Sequence, residues 1–170
     1  CSHAKVTTRH FYEHFKDREA LLMAIFDTIL QETRQQVLAE IVMSDLPLEQ
    51  RFVGAVNAFL TSHLDDPRRA KITTQEILGV SQRVEAHRNV LITEFALLIE
   101  SYLMLLVAEG KLSARNYRIL AFGIVGAMHE LQIAWLNQQV PQQREVLVAE
   151  IDYLMQVMIK GVTVVSDEEN

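Results

Sequence analysis

Residues 7–18 hold two threonines, two histidines, a tyrosine, a glutamate and the cations Arg9, Lys16 and Arg18. Two chemistries can use such a set. His10 and His14 stand one helical turn apart around Glu13, the His-x-x-Glu-His spacing at which two imidazoles share a zinc ion and the carboxylate acts as base in a hydrolysis. A five-residue match is weakly specific, and no acidic third ligand is evident downstream. The other chemistry is nucleic-acid recognition. Arginine, hydroxyl and imidazole groups early in a short helix can reach base edges in a major groove. Val6 and Phe11 are spaced to pack such a helix on a partner, with Phe15 at its junction with the next one. Thr7, Thr8, Arg9, His10, Tyr12 and His14 then fall on or near the exposed side. This reading also explains Phe11, Tyr12 and Phe15, which a zinc site does not use.

A second set of polar and aromatic groups is dispersed among apolar residues: His63, His87, Glu94, Tyr102, His129, Gln132 and Trp135, with Phe59, Phe95 and Met104 as wall material. A mostly apolar pocket with a few orienting polar groups is the usual small-molecule site. Each residue alone is more often a satisfied buried polar group or part of a solvated face.

The elements that must position both sets read as helices throughout. Only 6 Gly and 3 Pro interrupt 170 residues that are 49% hydrophobic and 22% charged, and no strand-type alternation occurs. A short helix spans Thr7 to Phe15. Asp17 is placed to cap a long amphipathic one from about Arg18 to Val42, on which Leu21, Leu22, Ile25, Ile29, Val37 and Ile41 recur every three or four residues. After the turn at 44–47, Phe52, Val56, Phe59, Leu60 and His63 share a face until Asp65-Asp66-Pro67. A helix from about Arg68 to Leu78 closes at Gly79. Ser81 caps the next, which runs to Glu109 and Gly110. Its half from Phe95 to Ala108 is apolar almost all round and belongs in the middle of a bundle. Ser113 opens a helix to about Gln139, and Pro141 opens the last, to about Val165. These last two carry more apolar surface than one core needs, which predicts pairing with a second copy in a four-helix interface.

The run Ala4-Lys5-Val6-Thr7-Thr8-Arg9-His10-Phe11-Tyr12-Glu13-His14-Phe15-Lys16-Asp17-Arg18-Glu19-Ala20-Leu21-Leu22 resembles the second half of the helix-turn-helix in the tetracycline-repressor-like (TetR) family. The landmarks Val6, Thr7, Phe11, Tyr12, His14, Phe15, Arg18, Glu19 and Leu22 stand in the family's order, and Lys5 replaces the usual turn glycine. The resemblance implies an all-α TetR-like bundle. Residues 1–18 would be the last part of the DNA-binding domain and residues 19–170 the ligand-binding and dimerisation domain, dimerising through the last two long helices. It implies about 25–40 further residues ahead of Cys1 to brace the recognition helix, so that the chain as written binds DNA poorly. Thr8, Arg9 and His10 become candidates for base contacts. Thr7, Tyr12, His14 and Arg18 become candidates for phosphate contacts. The pocket candidates are Phe59, His63, His87, Phe95, Tyr102, His129, Gln132 and Trp135. The implied function is a transcriptional regulator, a repressor released from double-stranded operator DNA by a small-molecule inducer, acting as a homodimer, with no cofactor, no metal and no catalytic residues.

Charge fits that division. The net charge is -6, yet residues 1–18 carry four cations against Glu13 and Asp17, a net +2, which leaves -8 on the rest. A basic start on an acidic body is expected where only the start meets a polyanion. One cysteine excludes an internal disulfide framework and suits a reducing compartment. The uncharged apolar runs at 101–108 and 119–128 fall short of a membrane span, which predicts a cytoplasmic protein with no membrane partner. The alternatives are a helical dimeric adaptor that never binds DNA and, more remotely, a zinc-dependent hydrolase through His10, Glu13 and His14.

Overall fold

The computed structural model describes residues 7–43 and 45–161, apart from the side chains of Thr8, Met43, Leu48, Glu49 and Lys160. Among these the fold is all-α: α1 (Thr8–His14), α2 (Arg18–Met43), α3 (Leu48–Leu64), α4 (Pro67–Lys71), α5 (Gln82–Ala108), α6 (Arg118–Leu136) and α7 (Arg144–Lys160). The Lys5 turn position and Val6 lie outside the described residues, as does the predicted end of the last helix at Val165.

Local chemistry sets the helix ends. Thr7 caps α1, its hydroxyl accepting from His10 N at 3.2 Å. Asp17 Oδ1 accepts from Ala20 N at 2.7 Å and so starts α2. Ser81 caps α5 through Val84 N, while Glu85 reaches back to Gly79 N. Such side-chain acceptors satisfy N–H groups that a helix leaves unpaired. Gly79 and Gly110 close their helices at φ +68 and +73, a conformation that costs a side chain little only when there is none.

Three expected elements differ. The single helix expected over 68–78 is α4 followed by one π-helical turn, Ile72–Glu76, in which Ile77 N bonds Ile72 O at 3.2 Å. Ile72, Thr73 and Thr74 are β-branched in succession. The two threonine hydroxyls also bond the carbonyls of Arg69 and Ala70, which crowds and competes with the α-helical ladder. The sixth helix starts at Arg118, not Ser113. Buried Tyr117 is anchored by its hydroxyl to Ser113 O at 2.7 Å, and Asn116 Oδ1 accepts from Arg118 N. Residues 113–117 thereby become a loop. The seventh starts at Arg144, not Pro141. Its guanidinium grips Asp65 at 2.6 Å and Thr61 at 2.7 Å, which seats the start of α7 on the end of α3.

The main core joins α3, α5, α6 and α7 through Phe52, Leu60, Tyr102, Leu103, Leu106, Ile124, Leu147, Ile151 and Met155. A smaller cluster, Phe26, Ile77 and Val84, lies under the start of α5. The apolar half of α5 is not enclosed: Leu97, Met104 and Leu105 are exposed while Leu103 and Leu106 are buried. Helices α5 and α6 are each long and apolar enough to cross a membrane by length and composition, although their uncharged runs are short. Outward-facing apolar groups also line α6 and α7, with Ile119 87% and Tyr153 67% exposed.

Candidate functional site

Two places gather the predicted residues. The first is α1. Arg9, His10, Tyr12 and His14 all lie exposed on it, and Arg18 is exposed at the start of α2. Arg9 Nε sits 3.1 Å from Glu13, and His10 Nδ1 lies 3.4 Å from the same carboxylate. The His10 and His14 rings meet edge to face at 4.8 Å. Glu13 is thus occupied on its own helix. Among the described residues no group of three or more His, Cys, Asp or Glu converges for a metal. Thr7 uses its hydroxyl oxygen as a cap acceptor and keeps its hydrogen to donate.

The helix is held at its far end. Arg83, in the first turn of α5, reaches Asp17 at 3.0 Å and Glu19 at 2.9 Å, and Ser81 Oγ donates to Glu19 at 3.0 Å. The bond from Ala20 N, then the arginine, keep the Asp17 carboxyl below its usual range. Further along the same seam His87 bonds Asp27 at 2.6 Å and Arg34 pairs with Glu94 at 3.3 Å. The α1–α2 junction is therefore tied to α5 by side-chain bonds.

The second place is a cavity of about 300 Å³ among α2, α3, the π turn, α5 and α6. This is at the lower end of small-molecule sites. Six of the predicted pocket residues, Phe59, His63, Phe95, Tyr102, His129 and Gln132, line it. His87 and Trp135 do not: the first belongs to the α2–α5 seam, and the second packs against the main core. Glu94 pairs with Arg34, and Met104 faces outward. Phe59 stacks on His63 at 4.6 Å and meets Phe95 edge-on at 6.3 Å.

Polar groups are few and incompletely paired. His63 Nδ1 donates to Phe59 O at 3.0 Å, which leaves Nε2 as an acceptor buried without a protein partner. Burial holds His63 neutral, its pKa lowered to about 4 against a weaker opposing effect of the Phe59 bond. Gln132 Nε2 donates to Met128 O at 3.2 Å, and its Oε1 has no protein partner. Arg88 Nη2 donates to His129 Nε2 at 3.2 Å. Burial first, then the Arg88 charge, lowers the His129 pKa. A buried polar atom left unpaired costs about 1–3 kcal/mol, a cost that His63 Nε2 and Gln132 Oε1 both carry.

Sequence reasoning missed Arg88, Thr73 and Thr74. For Arg88 a signal was present. Arg88, Ile92, Phe95, Ile99 and Tyr102 step by four and three residues, which puts the arginine on the apolar stripe of α5. The threonines reach the lining by way of the π turn, and no simple periodicity announces that.

With this geometry, solved structures give a close architectural match. A provisionally assigned TetR-family transcription regulator from Shewanella sp. PV-4 superposes with a TM-score of 0.70 at 18% identity, over 96% of this chain and 85% of that one. The fold is TetR-like. A protein of unknown function from Rhodococcus sp. RHA1 aligns with a TM-score of 0.64 at 14% identity, over 96% and 82% of the two chains. No family model matches the sequence, and no curated protein does. Within the TetR-like frame α1 occupies an exposed end, and the cavity lies among the helices that follow it.

Proposed function

We propose that the protein is a DNA-binding transcriptional regulator, working in the cytoplasm as a homodimer, whose operator affinity is lowered by a small molecule held in the central cavity. The observation that carries this reading is the bond from Arg83 to Asp17 and Glu19. It joins the junction that follows the exposed α1, with its arginine, histidines and tyrosine, to the helix that lines the cavity, on a TetR-like fold.

Thr8, Arg9 and His10 contact bases, while Thr7, Tyr12, His14 and Arg18 hold phosphates. Two copies place their recognition helices roughly 34–36 Å apart, one turn of duplex. A ligand that fits the cavity better when α5 is shifted draws the α1–α2 junction with it and spoils that spacing. Its leverage is limited to its difference in affinity for the two states. No step of this mechanism is catalytic.

The test is fluorescence anisotropy of the protein as its gene encodes it, on DNA from upstream of that gene and on scrambled DNA, at two salt concentrations. Salt-sensitive binding that strongly favours the upstream DNA is expected. Weak binding, equal on both DNAs, would move the weight to the helical adaptor.

A further inference from the structure

One cation of the cavity lining, Arg88, has no carboxylate partner among the described residues. Arg88 Nε is buried without a protein partner. Arg34, Arg69, Arg83, Arg118 and Arg144 are each paired with a carboxylate, but among the described residues Arg88 has none within ion-pair distance. Its guanidinium donates through Nη2 to His129 Nε2 at 3.2 Å. Arg88 is half-buried, and a guanidinium does not deprotonate, so it cannot relieve its partial desolvation by becoming neutral. What relieves it is an anion, best a planar one that accepts two parallel N–H bonds.

A second group of polar residues in the lining offers acceptors only. His63 and Gln132 belong to the same lining and are nearly fully buried, and each has an acceptor, Nε2 and Oε1, without a protein partner. Two acceptors cannot take a carboxylate; they take a hydroxyl or N–H donor. The rest of the wall is mostly aromatic and aliphatic, with Phe59, Ile92 and Phe95 in it. At about 30 Å³ for each water-sized unit, the volume suits on the order of ten non-hydrogen atoms.

We propose that the cavity binds a small carboxylate with a compact apolar body, its carboxylate on Arg88 and its body against Phe59 and Phe95. A hydroxyl or N–H on that body is matched by His63 and Gln132. This rests on reading the cavity as a ligand site, and it names the class of ligand.

The experiment is isothermal titration calorimetry with 3-phenylpropanoate and its uncharged counterpart 3-phenylpropan-1-ol. The proteins are the wild-type chain, Arg88→Gln and Arg88→Lys, each checked for an unchanged thermal melt. The acid is expected to bind roughly ten- to hundredfold tighter than the alcohol. Arg88→Gln abolishes that preference without weakening the alcohol, and Arg88→Lys restores part of it. Equal affinities for acid and alcohol in the wild type overturn the anion assignment and leave the cavity as a ligand site. Binding of neither probe up to millimolar concentration overturns the cavity reading and the assignment with it. Neither result depends on whether the protein binds DNA.

Discussion

His63 is neutral inside the fold at a pH where an exposed imidazole is already charged. Its folded pKa is about 4 against an ordinary 6.5. As pH falls through that window the unfolded chain takes up a proton that the folded chain refuses. Stability is therefore intact above pH 6.5 and declines toward pH 4, by about 3 kcal/mol from this group alone. Urea titrations of the wild type and His63→Gln at pH 7 and pH 4 should diverge by about that amount, with the variant losing less. Parallel losses would place the acid sensitivity elsewhere. The base and phosphate contacts proposed for α1 and the start of α2 separate in the same residue-by-residue way. Arg9→Ala is expected to cost about 1–3 kcal/mol on the cognate site and little on scrambled DNA. Arg18→Ala should weaken both and reduce the salt slope by about one. A substitution at Arg9 that lowers affinity equally on both DNAs would make it a phosphate contact. At this scale the sequence marks polar residues that stand among apolar groups, and of these His63 and Gln132 come to line the cavity. His87 and Trp135 look the same in sequence. Only the position of Asp27 across the seam, and the packing around the indole, assign them elsewhere.

Helix ends were legible where a side chain writes them locally, as Asp17, Ser81 and Gly110 do. They were misplaced where a distant partner decides. Tyr117 draws residues 113–117 out of a helix, and Arg144 waits for Asp65 before α7 begins. The closing glycine gives a direct check. Gly110 has φ +73, where a Cβ costs about 1–2 kcal/mol. Gly110→Ala should accordingly lower unfolding free energy by about that much, measured by urea denaturation, and an unchanged midpoint would contradict the turn geometry. The α2–α5 seam carries a more consequential expectation. Arg83 touches Asp17 and Glu19 and is absent from the cavity lining. Arg83→Ala should leave ligand affinity in the cavity unaltered while reducing the effect of ligand on DNA affinity, a coupling of roughly 5–150-fold where it operates. Both are read by the same pair of titrations, calorimetry on the ligand and anisotropy on the DNA. A variant with full ligand-induced release would show that the signal travels through the α2–α3 contact instead.

For the whole molecule the open question is what covers the outward apolar faces. The sequence showed a surplus of apolar residues on the last two helices, and in the fold that surplus points outward: Ile119 and Phe122 on α6, and Tyr153, Leu154 and Val157 on α7 are exposed. It did not show that the apolar half of α5 also stays open, because composition alone cannot tell an enclosed helix from one awaiting a partner. Exposed apolar patches of this kind mark an interaction surface, and a two-fold axis through α6 and α7 would make the patch its own complement. Any substitution there then acts twice in the dimer. Val157→Glu or Leu154→Glu would set two carboxylates in the shared apolar interface, a desolvation cost of several kcal/mol. Sedimentation at tens of micromolar should show a dimer for the wild type and a monomer for either variant. Met104→Glu, on the exposed face of α5, should remain dimeric and folded. Dissociation by Met104→Glu alone would move the interface to α5, and a monomeric wild type would remove the two-fold geometry on which the spacing of the recognition helices depends.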